Sequence, residues 1–216
     1  MNKTDLKLYA ITDRQWLHGA RLSEHVKLAI EGGATMIQIR DKDILSTDSD
    51  AGLNDEYKEA LEIKRICHEH NVPLIINDNV QFAIDIDADG VHLGQDDMNP
   101  AEARKLLGTD KIIGVTAKTV EQAKKAQADG ADYLGSGAVF GSTTKLNAKP
   151  MTKELLQEIT AAVDIPVVAI GGINADNAAT LKGTGIAGIA VVGAIFASAD
   201  IKAAAKELAE ICDKML

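Results

Sequence analysis

The chain has 216 residues, of which 46% are hydrophobic and 25% charged, an ordinary composition for a globular protein. Its formal net charge of −9 argues against nucleic acid as the main partner, because phosphate backbones are bound by clustered Lys and Arg. No apolar run approaches the roughly 20 residues of a membrane span, and the first residues lack the apolar region and cleavage site of a secretory signal.

Short apolar runs alternate with amphipathic helical patterns along the whole sequence. The runs predict eight β-strands, near residues 8–12, 35–40, 73–77, 90–93, 111–116, 133–136, 166–170 and 186–192. Helical patterns lie between and after them, near residues 22–29, 57–66, 80–84, 101–107, 120–128, 153–162, 175–181 and 201–215. Strands that alternate with helices imply a parallel sheet.

Eight strand–helix units in a chain of this length favour one α/β domain, a (β/α)8 TIM barrel over residues 1–216. An open doubly wound sheet is the alternative. It usually has fewer strands, and the first strand here is not followed by a dinucleotide-binding glycine pattern.

The second predicted strand carries polar residues on one of its two faces. Successive strand residues point to opposite faces, so Ile37 and Ile39 share one side while Gln38 and Arg40 share the other. A buried Arg is rare unless it is paired. In a barrel, Gln38 and Arg40 would face the interior near the mouth, with Lys42 in the loop above, where they could bind an anion.

Acidic residues follow the third and fourth predicted strands. Asn77 and Asp78 end the third, and Asp97 follows the fourth. The alternative for Asn77 and Asp78 is an Asx turn or a helix cap, and for Asp97 it is a cap of the helix that starts near Pro100. Asp78 and Asp97 could reach one point above neighbouring strands, where two carboxylates with water and phosphate oxygens make a Mg²⁺ site. His92 has no second His or Cys at ligand spacing, so we expect a hydrogen-bonded interior histidine rather than a zinc ligand.

Two further stretches near the mouth suit anionic ligands. The loop after the sixth strand combines glycines with hydroxyls and Lys145, although it does not fit the P-loop pattern. Glycines end the last two strands at Gly172 and Gly193, where barrels often bind phosphate through backbone N–H groups. Close strand–helix packing also favours glycine there. One cationic and one neutral anion site predict an enzyme with two phosphorylated substrates.

No nucleophile is apparent in the sequence. Cys67 and Cys212 lie in helical patterns without a metal-binding spacing, which predicts reduced thiols of a cytoplasmic protein. A Ser-His-Asp hydrolase lacks its G-x-S-x-G elbow here.

Seven motifs occur in order along nearly the whole chain: YAITD at 9–13, QIRDK at 38–42, ND at 77–78, ADGVHLGQDD at 88–97, GADYLG at 130–135, TK at 144–145 and AIGGI at 169–173. In these motifs the chain resembles the thiamine-phosphate synthase family, also called thiamine-phosphate pyrophosphorylase. The resemblance implies a (β/α)8 barrel that joins a pyrimidine-methyl diphosphate to thiazole phosphate, forming thiamine monophosphate and releasing pyrophosphate.

The resemblance also implies roles for individual residues. It places the pyrimidine diphosphate on Gln38, Arg40, Lys42, Asn77 and Lys145, Mg²⁺ on Asp78 and Asp97, and the thiazole phosphate on Gly172, Val192, Gly193, Ser142 and Thr144. Pyrophosphate would leave first, and the thiazole nitrogen would attack the resulting pyrimidine-methyl cation. Mg²⁺, Arg40, Lys42 and Lys145 would stabilise the charge on the leaving group.

The sequence departs from the family pattern at three places. Thr116 stands where the family usually has Ser, so we expect its hydroxyl to keep a pyrophosphate contact. The family loop reads Pro-Thr-x-Thr-Lys, whereas this chain has Gly141 and Ser142 at its first two positions. Gly193 replaces a frequent Ser, which removes a side-chain bond to the thiazole phosphate and leaves the backbone contacts.

Three other functions remain open at this point. A thiazole tautomerase relative does not need the diphosphate and metal residues, and another phosphate-binding barrel would share only the late glycines. A non-enzymatic ligand-binding barrel would give the acids and Lys145 no purpose. The sequence leaves undecided whether the protein is a homo-oligomer, in which order the substrates bind, and whether the thiazole is used as its carboxylate.

Overall fold

Eight parallel β-strands close into a barrel in the computed structural model, which describes residues 1–41, 55–141 and 151–216. They are β1 (Leu8–Ile11), β2 (Met36–Ile39), β3 (Leu74–Asn77), β4 (Gly90–Leu93), β5 (Ile112–Thr116), β6 (Tyr133–Gly137), β7 (Val167–Ile170) and β8 (Gly188–Val191). Each strand pairs with the next along the chain, and β8 pairs with β1. The predicted TIM barrel is confirmed, and the open doubly wound sheet is excluded because the sheet has no free edge.

Helices lie between most strands. They are α1 (Leu22–Glu31), α2 (Asp55–Glu69), α3 (Val80–Asp85), α4 (Pro100–Leu107), α5 (Val120–Ala128), α6 (Lys153–Ala161), α7 (Gly193–Phe196) and α8 (Ile201–Met215). Across the described ranges, no helix combines the length and the apolar character that crossing a membrane requires. The assignment of residues 1–216 to one domain stays a prediction.

The helix predicted at residues 175–181 is shorter and tighter than expected. The structure has a turn followed by a 3-10 helix, Ala178–Leu181. The Asn177 side chain accepts a hydrogen bond from the Asn174 N–H at 2.9 Å, and the Asn174 side chain accepts one from the Asp176 N–H at 3.0 Å. Such local bonds compete with the first turn of an α-helix, which explains the late start.

Apolar side chains form two layers, one on each face of the barrel wall. Ile37 and Ile39 belong to the layer between strands and helices, whereas Met36 belongs to the layer inside the barrel. Gln38 shares the inner face with Met36 and is 2% exposed. The predicted orientation of β2 is therefore confirmed.

A 3-10 helix, Lys3–Leu6, lies at the end of the barrel where the strands begin. Leu6 is fully buried and packs in the inner layer with Tyr9 and Met36. A side chain at Gly188 could not be accommodated, because its Cβ would lie 1.8 Å from the carbonyl oxygen of Leu6. Close packing of this segment thus closes the barrel opposite the predicted mouth.

Candidate active site

A cavity of about 450 Å³ opens at the carboxyl ends of the strands. All eight strands contribute lining residues, among them Tyr9, His92, Gly135, Val168 and Ala190. The polar residues that the sequence places at the strand ends therefore converge on one mouth, as expected for a barrel enzyme.

The cavity brings together seven of the thirteen predicted site residues. Its lining includes Gln38, Arg40, Asn77, Thr116, Gly172, Val192 and Gly193. Asp78 and Asp97 are exposed beside the mouth and do not line the cavity. The remaining four, Lys42, Ser142, Thr144 and Lys145, lie outside the described residues. The roles of all thirteen stay predictions.

Thr12 fixes the backbone that presents Arg40. The Arg40 N–H donates to the Thr12 hydroxyl oxygen at 3.1 Å, and the Thr12 N–H donates to the Gln38 carbonyl at 2.9 Å. Thr12 itself is completely buried. These bonds continue the pairing of β1 and β2 past the strand ends, so the Arg40 main chain is held at the rim.

A cluster of charged side chains outside the cavity stabilises the backbone next to Arg40. Arg14 donates from Nε to the Asp41 carboxylate, and its Nη1 lies 3.1 Å from Glu59 Oε2 on α2. Burial opposes the charge of the guanidinium, but its hydrogen bonds and attraction to Asp41 and Glu59 outweigh that effect and raise the pKa of Arg14. Asp41 directly follows Arg40, so the cluster anchors the chain where it leaves β2.

The two predicted metal ligands do not cap helices. The side chain of Asn79 caps α3 by accepting from the Phe82 N–H at 2.9 Å, and that of Asn99 caps α4 in the same way. The helix-cap alternatives for Asp78 and Asp97 are therefore wrong.

The backbone of Asp78 and the side chain of Asp97 are both hydrogen-bonded to the end of β4. Asp78 has a left-handed backbone, with φ at 62°, and its N–H donates to the His92 carbonyl at 2.9 Å. Asp97 Oδ2 accepts from the Gly94 N–H at 2.6 Å. The Asn77 amide donates to Asp78 Oδ2 at 2.6 Å. A left-handed conformation is uncommon outside glycine, and here it directs the chain beside the cavity rim.

The two carboxylates of Asp78 and Asp97 suit Mg²⁺ better than they suit a metal ion whose ligands all come from the protein. In residues 1–41, 55–141 and 151–216, no three or more His, Cys, Asp or Glu side chains group as metal ligands. Mg²⁺ commonly uses one or two carboxylates and completes its shell with water and substrate phosphate oxygens. An exposed pair such as Asp78 and Asp97 is compatible with that mode.

A chain of side-chain hydrogen bonds forms the polar part of the cavity floor. It connects Gln38 through Tyr9, Tyr133 and His92 to Thr116. His92 is thus the hydrogen-bonded interior histidine that the sequence predicts. Sequence reasoning missed the two tyrosines, although both lie in motifs shared with the resembled family.

The opposite side of the cavity is built largely from backbone. Gly172 has a φ of 67°, and a Cβ there would lie 2.6 Å from the Phe140 carbonyl oxygen, so only glycine fits. Gly193 begins α7, directly after Val192. The first N–H groups of a helix have no partner within it, and in this position they adjoin the cavity.

Comparisons with known proteins agree along nearly the whole chain. A family model described as thiamine monophosphate synthase matches residues 8–195. A thiamine-phosphate synthase of Ruminiclostridium cellulolyticum is 49% identical over 210 residues, 97% of this chain and 97% of the relative. One of Clostridium tetani is 47% identical over 204 residues, 94% of each chain. The solved thiamine phosphate pyrophosphorylase from Pyrococcus furiosus is 38% identical with a TM-score of 0.87, covering 99% of this chain and 98% of its own.

Proposed function

Because the chain belongs to the thiamine monophosphate synthase family, we propose a division of the cavity between the two substrates of that reaction. The enzyme is a transferase of thiamine biosynthesis that joins a pyrimidine-methyl diphosphate to thiazole phosphate. Its products are thiamine monophosphate and pyrophosphate. Each substrate has its own side of the cavity, and the reacting carbon and nitrogen meet between the two sides.

The pyrimidine diphosphate occupies the side of the cavity formed by β2 to β5. Gln38 and Asn77 offer amide groups to the pyrimidine end, and the Arg40 guanidinium and the Thr116 hydroxyl bind the diphosphate. A guanidinium can bind phosphate oxygens in a bidentate manner, which suits a group whose negative charge grows during the reaction. Lys42 and Lys145, both outside the described residues, would add two more cations.

Asp78 and Asp97 would hold Mg²⁺ beside the cavity mouth. When bound, the ion neutralises charge on the leaving pyrophosphate. The proposal is supported by the hydrogen bonds that hold the Asp78 backbone and the Asp97 carboxylate at the end of β4, next to the strand that carries Asn77.

The thiazole phosphate occupies the side formed by β7 and β8. Gly172 admits the phosphate to the main chain, and the backbone of Val192 and Gly193 receives it at the start of α7. A neutral backbone site suits a monophosphate that carries no leaving group. Ser142 and Thr144, outside the described residues, would line the same side.

The reaction is dissociative. The carbon–oxygen bond to the diphosphate breaks, its electron pair leaves with pyrophosphate, and the ring amino group stabilises the pyrimidine-methyl cation. The thiazole nitrogen then donates its electron pair to that carbon. Arg40 stabilises the leaving charge, while the apolar walls at Ile11, Val168 and Ile170 exclude water that would otherwise trap the cation. No protein nucleophile takes part.

We further propose that the enzyme works in the cytoplasm on small molecules alone. Cys67 and Cys212 are both free and buried, which suits a reducing compartment. Burial raises the pKa of both thiols, so neither is poised as a nucleophile.

One observation carries the proposal: Arg40, Asn77 and Thr116 share a single cavity with Gly172 and Gly193. A thiazole tautomerase does not need the diphosphate residues, and another phosphate-binding barrel would share only the late glycines.

The decisive assay supplies both substrates with Mg²⁺ and follows thiamine phosphate and pyrophosphate together. We expect equal amounts of the two products, and none after chelation of the metal. Asp97→Asn should lower turnover and raise the Mg²⁺ concentration needed for half-maximal rate. Asp96→Asn, an exposed neighbour of equal charge, is the matched control. If turnover depends neither on Mg²⁺ nor on Asp97→Asn, the proposed metal site is wrong.

A further inference from the structure

Five polar side chains form a continuous hydrogen-bonded chain across the barrel, below the proposed diphosphate site. Gln38 Nε2 donates to Tyr9 Oη at 2.5 Å, and the hydroxyls of Tyr9 and Tyr133 lie 2.9 Å apart. Tyr133 Oη is 3.0 Å from His92 Nδ1, and His92 Nε2 is 3.0 Å from Thr116 Oγ1. Both end residues, Gln38 and Thr116, line the cavity.

The barrel wall leaves room for the rings of this chain. A Cβ at Gly114 on β5 would lie 2.1 Å from Tyr133 Cζ, and one at Gly135 on β6 would lie 3.0 Å from His92 Cε1. The centroids of the Tyr9 and Tyr133 rings are 5.9 Å apart, in an edge-to-face arrangement. The absence of side chains at Gly114 and Gly135 thus makes space for the two rings, and close packing holds them in place.

The number of available protons allows two directions of donation along this series of hydrogen bonds. Each tyrosine hydroxyl has one hydrogen to donate, and a neutral imidazole donates from one nitrogen and accepts at the other. In the first direction, the Gln38 amide donates to Tyr9, Tyr9 donates to Tyr133, and Tyr133 donates to His92 Nδ1. His92 Nε2–H then donates to Thr116. In the reverse direction, the Thr116 hydroxyl donates its only hydrogen to His92 Nε2.

The ligand chemistry distinguishes the two directions. A diphosphate oxygen only accepts hydrogen bonds, so it needs Thr116 as a donor, with the hydroxyl hydrogen free. At the other end, Gln38 that donates through Nε2 leaves its carbonyl oxygen to accept from an amino group. The ring amino group of the pyrimidine substrate is such a donor.

We propose that the hydrogen bonds run from Gln38 to Thr116, and that Tyr9, Tyr133 and His92 are positioning residues. They keep the Thr116 hydroxyl as acceptor toward His92 and turn its hydrogen into the cavity. We call this hydrogen-bonded series of five side chains the relay. It determines which donors and acceptors Gln38 and Thr116, at its two ends, present to the pyrimidine diphosphate. This inference rests on the position of that substrate in the proposed function and adds the tyrosines and His92 to its machinery.

Both tyrosines are suited to the relay because they retain their protons. Burial raises the pKa of Tyr9 and of Tyr133 well above the ordinary value of 10.0. Each hydroxyl is therefore a donor throughout the working pH range of an enzyme.

The direction is tested first on the free enzyme, by NMR of protein labelled with ¹⁵N-histidine at pH 8. The chain has five His residues, and the signals of His92 are those that disappear in His92→Gln. We expect the proton on Nε2, with Nδ1 unprotonated. A proton on Nδ1 would overturn the proposed direction.

The function of the relay is tested by a double-mutant cycle between Tyr133→Phe and Thr116→Val, which removes the hydroxyl and keeps the shape. Thr116→Val should lower kcat roughly 10- to 100-fold, the worth of one hydrogen bond to a charged group. Tyr133→Phe alone should lower kcat about 10-fold without changing KM for thiazole phosphate. In the Thr116→Val background the same change should cost less than about twofold, because the hydroxyl it orients is gone.

Controls separate positioning from general damage. Thr184→Val removes another buried threonine hydroxyl, which donates to the Leu181 carbonyl at 2.7 Å away from the cavity, and should keep full activity. If Tyr133→Phe costs the same in both backgrounds, it acts through the fold and the relay is refuted. If Thr116→Val leaves kcat unchanged, the diphosphate position in the proposed function fails, whereas Nε2–H on His92 would still support the direction of the relay.

Discussion

Replacement of Arg14 by Met tests the charge cluster that anchors the chain after β2. The Asp41 and Glu59 side chains are only 5% and 11% exposed, and Arg14 is 31% exposed. Arg14→Met keeps much of the side-chain volume but leaves two buried carboxylates without the cation between them. Removal of one partner of a buried ion pair typically costs about 3–5 kcal/mol.

The structure places the expected loss at the lower end of that range. Glu59 retains the Leu22 N–H at 2.8 Å and Arg21 at 4.0 Å, and the partial exposure of Arg14 screens its interactions. We therefore expect about 3 kcal/mol, which lowers Tm by roughly 6–12 °C for a chain of this size. Because Asp41 adjoins Arg40, KM for the pyrimidine diphosphate should rise as well.

The assay is thermal melting by circular dichroism at pH 7 and one fixed scan rate, with Arg65→Met as the matched control. Arg65 pairs with Glu69 on the surface of α2, where the two side chains are 62% and 53% exposed. A pair of that kind is worth only about 0.3–0.5 kcal/mol, or roughly 1–2 °C. An equal small shift for both variants would refute the buried-cluster argument.

A partial rescue distinguishes charge from packing. In Arg14→Met, the further changes Asp41→Asn and Glu59→Gln remove the carboxylates that Arg14 neutralised. We expect part of the lost Tm to return, since a buried pair replaced as a whole costs far less than one broken on a single side. No recovery would mean that Arg14 stabilises the protein by contact alone.

Substitutions at three single positions test the phosphate site, the packing of the relay and a surface charge pair. Gly193→Ser should lower KM for thiazole phosphate by up to about tenfold, because an added Cβ meets nothing closer than Ala197 Cβ at 3.9 Å and the hydroxyl supplies one more hydrogen bond; steady-state kinetics with an unchanged KM would displace the phosphate from this position. Gly114→Ala should push the Tyr133 ring out of place, costing about 1–3 kcal/mol in thermal melts together with turnover, and normal kinetics would mean that the ring moves without harm. Hydrogen bonds from Lys111 and Lys64 lower the pKa of Asp87 to about 2 from 3.8, so its charge stabilises the fold above pH 4 and that contribution is lost as the pH falls toward 2. Asp87→Asn should therefore cost less than about 1 kcal/mol at pH 7, since Asp87 is exposed, and the difference in Tm from the parent should shrink between pH 4 and pH 2; a constant difference would contradict the assignment.

Local sequence patterns are enough to predict most of this barrel. Alternation of apolar runs and helical stretches located all eight strands, with bounds that differ from the structure by two residues or fewer. The face of β2 that carries Gln38 was predictable as well, because the period of two in a strand separates it from Ile37 and Ile39.

Long-range pairings could not be predicted from the sequence. Tyr9 and Tyr133 meet across 124 residues of chain, and each lies in a strand buried on both faces, where apolar periodicity gives no inner or outer side. Arg14 gives no signal either, since one of its carboxylates follows β2 and the other lies on α2. The seven-residue pattern at 175–181 failed for another reason: Asn174 and Asn177 bond their own neighbours and delay the helix.

The closed end of the barrel bears on efforts to change the substrate. Leu6, which precedes the first strand, and Met36, at the start of β2, share an apolar layer with Tyr9, which lines the cavity, so this layer forms the base of the cavity. Redesign for a bulkier pyrimidine would therefore begin from below, with smaller residues at positions 6 and 36. Such changes leave every group that binds phosphate untouched, so substrate size and phosphate recognition can be altered separately.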